Sequence, residues 1–353
     1  MTCYHPLHAF KLGFKNTETG KDVLKIVSGK LDKISIYDKA IINDVHDIPL
    51  EGDHIKKELQ LVFFNGRKVP NYSLVNPIDI PCGKCIGCRL AYSKEWAVRI
   101  VKECESFQHN YFLTLTYDDE HLKSPSLVKK DLQDFFKRLR WFYKKNFNHD
   151  NIRYFACGEY GEKFQRPHYH VCIFNLPIPD LQVRAVNFRG DKYYTSDIIG
   201  ASWKHGFITI GELNYQTAAY TARYCVKKIQ GIGAKDFYKS RGLIPEFVVM
   251  SRKPGIGRDY YDQNFEKIYQ NDAVYCKSGE KLITAKPCRY YDNLFDIDHP
   301  EQLEELKKRR RFISDTSIIS KLKHSVYFRK DRLLQHEERI KREQVSRVIR
   351  SKL

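Results

Sequence analysis

Apolar and polar positions alternate through Tyr111-Phe112-Leu113-Thr114-Leu115-Thr116-Tyr117. Such a β-branched and aromatic run predicts a central strand, closed by the turn at Asp118-Asp119. Ser124-Pro125-Ser126 then punctuates the chain. After it, Leu132, Phe135, Phe136, Leu139 and Phe142 recur at helical spacing, with Lys and Arg on the opposite side, and predict an amphipathic helix. Residues 152–157 and 168–174 read as two further strands, and the short loop 158–167 between them suits antiparallel neighbours.

Upstream, the first hundred residues read as short strands and loops, with Asn65-Gly66 marking a hairpin turn. A helix is predicted from about Arg89 to Phe107, its stripe made by Trp96, Ile100 and Cys104 at fourfold spacing. Downstream, beyond a stretch containing Tyr and Gly, a helix is predicted from Glu212 to Ile229, with Asn214 as its cap and Gly231 as its stop. The order strand, helix, two strands, helix argues for an α+β fold: an antiparallel sheet with helices packed on one face. Three regions follow: a strand-and-loop region with the connecting helix (1–108), the α+β core (109–260) and an extension (261–353).

Charge adds a partner. Of 353 residues, 61 are Lys or Arg against 43 Asp or Glu, giving a net charge of +18 and, with 23 Tyr and 21 Phe, a composition suited to a polyanion that also stacks on aromatic rings. Residues 301–353 hold 16 Lys and Arg against 8 Asp and Glu, densest at Lys307-Lys308-Arg309-Arg310-Arg311, which reads as a solvated helix face or a nucleic-acid arm. No run of 18 apolar residues spans a bilayer, and Met1-Thr2-Cys3-Tyr4-His5-Pro6 lacks the layout of a secretory signal. The expected location is therefore intracellular, and the ten cysteines are expected as thiols or metal ligands.

His168-Tyr169-His170 puts two imidazoles on one face of a strand, together with Cys172 and Phe174, while Tyr169, Val171 and Ile173 face a core. A pair this close is half of a metal site or a hydrogen-bonded structural pair. Glu159, at the end of the neighbouring strand, is the expected third ligand, with Glu162 as the fallback; otherwise Glu159 is an ordinary turn carboxylate. Two imidazoles and one carboxylate leave positions open on Mg²⁺, Mn²⁺ or Zn²⁺, which can polarise a phosphate oxygen. Tyr220 and Tyr224, four apart, share one side of the predicted helix, and Lys227 falls near it. A phenol is a weak nucleophile at neutral pH and needs a polarised phosphorus and a nearby cation; the alternative is a tyrosine stripe packed on the sheet.

Cys82, Cys85 and Cys88 form C-x-x-C-x-x-C, with Cys3 and His5 as distant candidates for a fourth ligand. Structural Zn²⁺, an iron–sulfur cluster and metal-free thiols all fit that spacing. Gly255-Ile256-Gly257 reads as a turn, and Arg252, Lys253 and Arg258 around it, with Arg223 between the tyrosines, are expected to touch DNA.

Phe112-Leu113-Thr114-Leu115-Thr116, His168-Tyr169-His170 and the helix of Tyr220, Tyr224 and Lys227 stand in the order of the three motifs of HUH rolling-circle replication endonucleases, which the chain resembles. Met1-Thr2-Cys3, Pro81-Cys82-Gly83-Lys84-Cys85-Ile86-Gly87-Cys88-Arg89 and Met250-Ser251-Arg252-Lys253-Pro254-Gly255-Ile256-Gly257 narrow the resemblance to replication initiators of microvirus-type single-stranded DNA bacteriophages, particularly the gokushovirus branch. It covers roughly residues 1–260. The resemblance implies an HUH core in which Glu159, His168 and His170 hold Mg²⁺ or Mn²⁺. It also implies that Tyr220 and Tyr224 are paired nucleophiles and that Lys227 balances charge. One tyrosine nicks the origin, leaving a 5′-phosphotyrosine link and a free 3′-OH; the second cut rejoins the strand into a circle. Implied partners are single-stranded and supercoiled double-stranded origin DNA, a host helicase and a host DNA polymerase, in the bacterial cytoplasm. A helicase would be a separate protein, since the chain has no G-x-x-x-x-G-K-[ST] loop. The rival expectation is a non-catalytic, zinc-containing DNA-binding protein. Hydrolysis by water, with both tyrosines dispensable, is a third.

Overall fold

The computed structural model describes residues 3–17, 22–27, 46–47, 60–64, 67–70, 78–161, 164–188, 190–227, 234–327 and 330–350. They fall into two units, one within 1–88 and 315–353, the other within 89–314.

In the first unit, β1 (Leu7–Lys15) pairs antiparallel with β2 (Asp22–Val27) and with a later strand, and β3 (His46–Asp47), β4 (Gln60–Phe64) and β5 (Arg67–Pro70) form a separate ribbon. That later strand is β6 (Ile78–Ile80). Phe64 pairs with Arg67, so the strands bracket Asn65-Gly66 as a two-residue hairpin requires, while the turn itself lies outside the described residues. Ala9, Cys85, Leu333 and Leu334 are the buried apolar side chains of this unit among the described residues. Its hydrophobic core is thin.

The second unit is built on a seven-stranded sheet. Helix α1 (Ile86–Cys104) leads into β7 (Tyr111–Tyr117), and α2 (Lys129–Phe147) precedes the hairpin of β8 (Arg153–Tyr160) and β9 (Pro167–Phe174). Then come β10 (Gln182–Val186), β11 (Lys192–Thr195), α3 (Asp197–Trp203), β12 (Gly206–Glu212), α4 (Tyr215–Lys227), α5 (Ala234–Ser240) and β13 (Phe247–Met250). The order across the sheet is β10-β11-β12-β7-β9-β8-β13, every pairing antiparallel, with β7 in the middle. The class is α+β.

Both faces of this sheet are covered, which corrects the expectation of helices on one face. Leu113, Leu115, Tyr169, Val171 and Ile173 pack with Leu132, Phe135, Phe136 and Leu139 of α2 and with Trp203 of α3. On the other face Phe155, Cys172 and Phe174 pack with Trp96 and Ile100 of α1 and with Ala218 and Ala222 of α4. Cys172 and Phe174 are themselves apolar, so the face that carries the histidines needs its own cover beyond them.

Within residues 175–211 sequence periodicity predicts no element, yet three strands and α3 begin there. The five residues of β10 are all exposed, so no apolar face betrays that strand. β12 also claims Glu212, and α4 begins only at Tyr215, after Asn214, whose Oδ1 accepts from the backbone N–H of Gln216 at 2.9 Å and of Thr217 at 3.0 Å. Asn214 is thus the N-cap, as its place in the sequence predicts. Gly231, the expected stop, lies outside the described residues. Beyond the sheet, α6 (Arg258–Asn271), the hairpin β14 (Val274–Ser278) and β15 (Lys281–Ala285), and α7 (Arg289–Asp298) share a second core around Tyr261, Ile268, Val274, Tyr291 and Phe295. The basic extension is helical: α8 (Pro300–Lys323) and α9 (Lys330–Arg350).

Candidate functional site

Strand register assembles the site. Across β8 and β9, Glu159 stands opposite His168 and Cys157 opposite His170; across β7 and β9, Thr114 stands opposite His170 and Thr116 opposite His168. Directly opposed residues share a face, so Glu159, His168, His170, Thr114 and Thr116 point to one side. The ladder runs to Tyr160 and Pro167 and therefore includes Glu159, whose direction is set by the pleat. Glu162 lies outside the described residues.

Glu159 Oε1 is 2.7 Å from His168 Nε2 and 3.0 Å from His170 Nε2. The imidazole rings stand perpendicular, their centroids 4.9 Å apart. Glu159 and His170 are buried, and His168 is half-buried. Burial raises the Glu159 pKa, but hydrogen bonds from His168 and His170, with their charge, outweigh it and hold the carboxyl below its ordinary value. The far side of each ring is also held. His168 Nδ1–H donates to the Arg166 carbonyl at 3.1 Å, and His170 Nδ1 lies 3.2 Å from Thr114 Oγ1. Arg166 in turn reaches back to Asp119 at 2.7 Å and to the Tyr117 carbonyl at 3.1 Å. Phe112 stacks on His170 at 5.4 Å.

This donor set fits a divalent cation. The three ligand atoms lie within 4.8 Å of one another. Adjacent ligands on an octahedral ion at about 2.1 Å are separated by about 3.0 Å, close to the Oε1–Nε2 spacings here. Nδ1 contacts to a carbonyl and a hydroxyl leave both Nε2 atoms aimed at the common point, the outer support typical of metal-binding imidazoles.

Tyr220 joins them from α4. Its ring stands edge-on to His170, centroids 5.2 Å apart, and edge-on to Phe112 at 6.2 Å, with 38% of the residue exposed. Ala218 and Ala222 bury the flank of α4 against the sheet, and the Cys172 thiol donates to Thr221 Oγ1 at 3.4 Å. Arg223 is exposed, its guanidinium 5.9 Å from the centre of the Tyr220 ring. Tyr224 and Lys227 belong to α4 by backbone, but their side chains lie outside the described residues.

Arg252 and Lys253 are exposed but are not brought to this cluster. They follow Met250, which pairs with Phe155, four residues along β8 from Glu159, roughly 13 Å away. The turn after them is fastened from inside. Arg153 donates to the carbonyls of Pro254 at 3.0 Å and Gly255 at 3.3 Å, Arg99 donates twice to Ile256, and Glu103 pairs with Arg153 and accepts from Gly257 N–H at 2.6 Å. Arg258 is committed to Asp262 at 2.7 and 2.8 Å.

The cysteines converge in the other unit. Cys3, Cys82, Cys85 and Cys88 bring their Sγ atoms within 4.8 Å of one another. His5 is not part of the group; its Nε2 lies 2.6 Å from Glu338. Burial raises the Cys3 thiol to about 11; at Cys85 burial acts the same way, but N–H donors from Cys88 and Tyr4 prevail and lower it to about 7.

Sequence reading missed Thr114, Arg166 and Phe112 as supports of the histidines. The signal was present for two of them: alternation in 111–117 places Phe112, Thr114 and Thr116 on one face, and only the pairing of β7 with β9 was needed to set that face beside His168 and His170.

The family model of the ORF2-type replication-associated protein matches residues 110–229, a span that holds Glu159, His168, His170 and Tyr220. The chain is 38% identical over 288 residues to the replication-associated protein ORF2 of Spiroplasma virus 4, covering 77% of this chain and 88% of that one. To the replication-associated protein VP4 of Bdellovibrio phage phiMH2K it is 34% identical over 272 residues, covering 76% of this chain and 78% of that one. To the replication-associated protein ORF4 of Chlamydia phage 1 it is 27% identical over 231 residues, 63% of this chain and 57% of the other. No solved structure matches it. No described helix is long and apolar enough to cross a membrane. On these similarities the chain belongs to the replication-associated proteins of microvirus-type single-stranded DNA bacteriophages.

Proposed function

We propose that the chain is an HUH-type, metal-dependent DNA nickase and strand-joining enzyme that initiates rolling-circle replication at the phage origin. The observation that carries this reading is the placement of a half-exposed tyrosine ring edge-on to one of two histidines that share a buried glutamate. A non-catalytic DNA-binding protein has no use for that grouping.

Glu159, His168 and His170 would hold Mg²⁺ or Mn²⁺, which supplies Lewis-acid polarisation of the scissile phosphate. Tyr220 Oη attacks phosphorus. The new O–P bond forms as the P–O3′ bond breaks, and the 3′ oxygen leaves with the electron pair and takes a proton from solvent. The products are a 5′-phosphotyrosine link and a primer 3′-OH. Because the link keeps one phosphodiester in place of another, rejoining requires no nucleotide triphosphate. Arg223, beside the Tyr220 ring, favours phenolate and meets backbone phosphate. Tyr224 serves the second cut, with Lys227 balancing charge. Arg252, Lys253 and Arg258 contact DNA further along. Single-stranded and supercoiled double-stranded origin DNA are the substrates, and a host helicase and DNA polymerase extend the primer in the bacterial cytoplasm.

The test uses end-labelled single-stranded oligonucleotides tiled across the genome that encodes the chain, incubated with protein and Mn²⁺ or Mg²⁺. A nick accompanied by a denaturation-resistant protein–DNA adduct is expected. Nicking without an adduct, or an adduct that persists in the double variant Tyr220→Phe/Tyr224→Phe, overturns the covalent reading.

A further inference from the structure

We propose that Cys3, Cys82, Cys85 and Cys88 form a closed, mononuclear zinc centre that holds the first unit together, separate from the nuclease cation. The distances favour a single ion. Cys82 and Cys88 sulfurs are 4.0 Å apart, and those of Cys3 and Cys85 are 3.9 Å apart. Four thiolates at about 2.3 Å from one tetrahedral Zn²⁺ stand about 3.8 Å from each other. A disulfide needs sulfurs about 2.05 Å apart, and none of these four cysteines is in one. An iron–sulfur cluster divides its thiolates among several irons and spreads them wider than one ion does, whereas all four sulfurs here lie within 4.8 Å.

The backbone is arranged for thiolates. Cys82 N–H is 3.3 Å from Cys3 Sγ; Lys84 and Cys85 N–H are 3.4 and 3.3 Å from Cys82 Sγ; Tyr4 and Cys88 N–H are 3.4 and 3.5 Å from Cys85 Sγ. Such donors offset the charge of four sulfurs around a dication. Cys88 lies in the first turn of α1, where the helix dipole favours negative charge.

Four protein sulfurs leave no open position for water or substrate, so the ion is structural. The unit needs one. Its few buried apolar side chains provide little hydrophobic stabilisation, and an ion that ties residue 3 to residues 82–88 closes a loop of nearly the whole unit. His5, held by Glu338, is left outside the centre.

The test is elemental analysis of the full chain purified from zinc-supplemented cells without chelator, alongside Cys3→Ser, Cys85→Ser and the double variant His168→Ala/His170→Ala. One zinc per chain is expected in the wild type and in the histidine double variant, with loss of at least half the zinc in either cysteine variant. Titrating the wild type with an organomercurial should release one zinc as the thiols are capped. Should a cysteine variant fail to fold, that titration and the histidine variant still decide the matter. Iron in place of zinc, a metal-free wild type, or zinc that disappears in the histidine variant overturns the proposal. The nickase reading fails separately, on the absence of the tyrosine adduct.

Discussion

Glu159 and His168 face each other across the β8–β9 ladder, Oε1 to Nε2 at 2.7 Å, so a change of side chain at either position acts directly on the other. Glu159→Gln keeps the shape and removes the anionic oxygen. Losing several kcal/mol of charge stabilisation corresponds to a fall in nicking rate of about 10²-fold or more. Binding of single-stranded DNA without metal should change by less than about threefold, since surface cations carry it. Nicking and filter-binding assays on one preparation check both. A variant that nicks at the wild-type rate with Mg²⁺ removes Glu159 from the site.

Thr114 is expected to act through His170. Thr114→Val is nearly isosteric and withdraws the hydroxyl 3.2 Å from His170 Nδ1. Loss of such an outer support lowers metal affinity by about 10–100-fold. Mn²⁺ titration calorimetry measures it, and Thr114→Ser should restore the affinity. An unchanged Mn²⁺ affinity in Thr114→Val would show the contact to be incidental.

The centre of the fold was legible because its elements carry strong period-2 and period-3.6 signals: 111–117 is the middle strand, and Leu132 through Leu139 line α2. Glu159 and His168 could be joined because a short connection makes neighbouring strands antiparallel. The cover on the histidine face was not legible. Trp96, Ile100, Ala218 and Ala222 belong to helices whose stripes are short, and nothing local tells such a stripe which side of a sheet it will meet. Thr114 escaped for a related reason: register between β7 and β9 is a long-range property, set by packing on both faces at once. Cys3 was one of two candidates to join the three clustered cysteines. The choice between it and His5 rests on Glu338, more than three hundred residues away in sequence.

Acid should loosen α9. Burial raises the Glu338 pKa, but Arg342 at 3.0 Å and His5 at 2.6 Å outweigh it and hold the carboxyl below its ordinary value of 4.5. For a depressed pKa the stabilisation is full above the unfolded value and is lost as pH falls through the folded one. Contacts of α9 should therefore be unaffected between about pH 5 and about pH 7, and weaken below about pH 4. Amide exchange over 330–350 against pH reads this, and Glu338→Gln should flatten the acid dependence. An acid response of equal size in the variant would assign it to other groups.

Glu103 is expected to govern both stability and DNA contact. Its carboxylate is buried, pairs with the buried Arg153 and accepts from Gly257 N–H, while Arg153 and Arg99 hold the carbonyls of residues 254–256. Glu103→Ala leaves the Arg153 guanidinium buried without its counter-charge, a loss of about 3–5 kcal/mol. The double variant Glu103→Leu/Arg153→Met replaces both charges by apolar groups and should recover much of that stability, because burying an ion pair is itself costly. The turn, however, would still lack the donor to Pro254 and Gly255 and the acceptor from Gly257. If it presents Arg252 and Lys253 to phosphates, the stable double variant should bind single-stranded DNA more weakly. The salt dependence should also become shallower, by about one to two counterions. Urea denaturation and binding at several salt concentrations separate the two effects. Wild-type affinity and salt slope in a folded double variant would detach this turn from DNA binding.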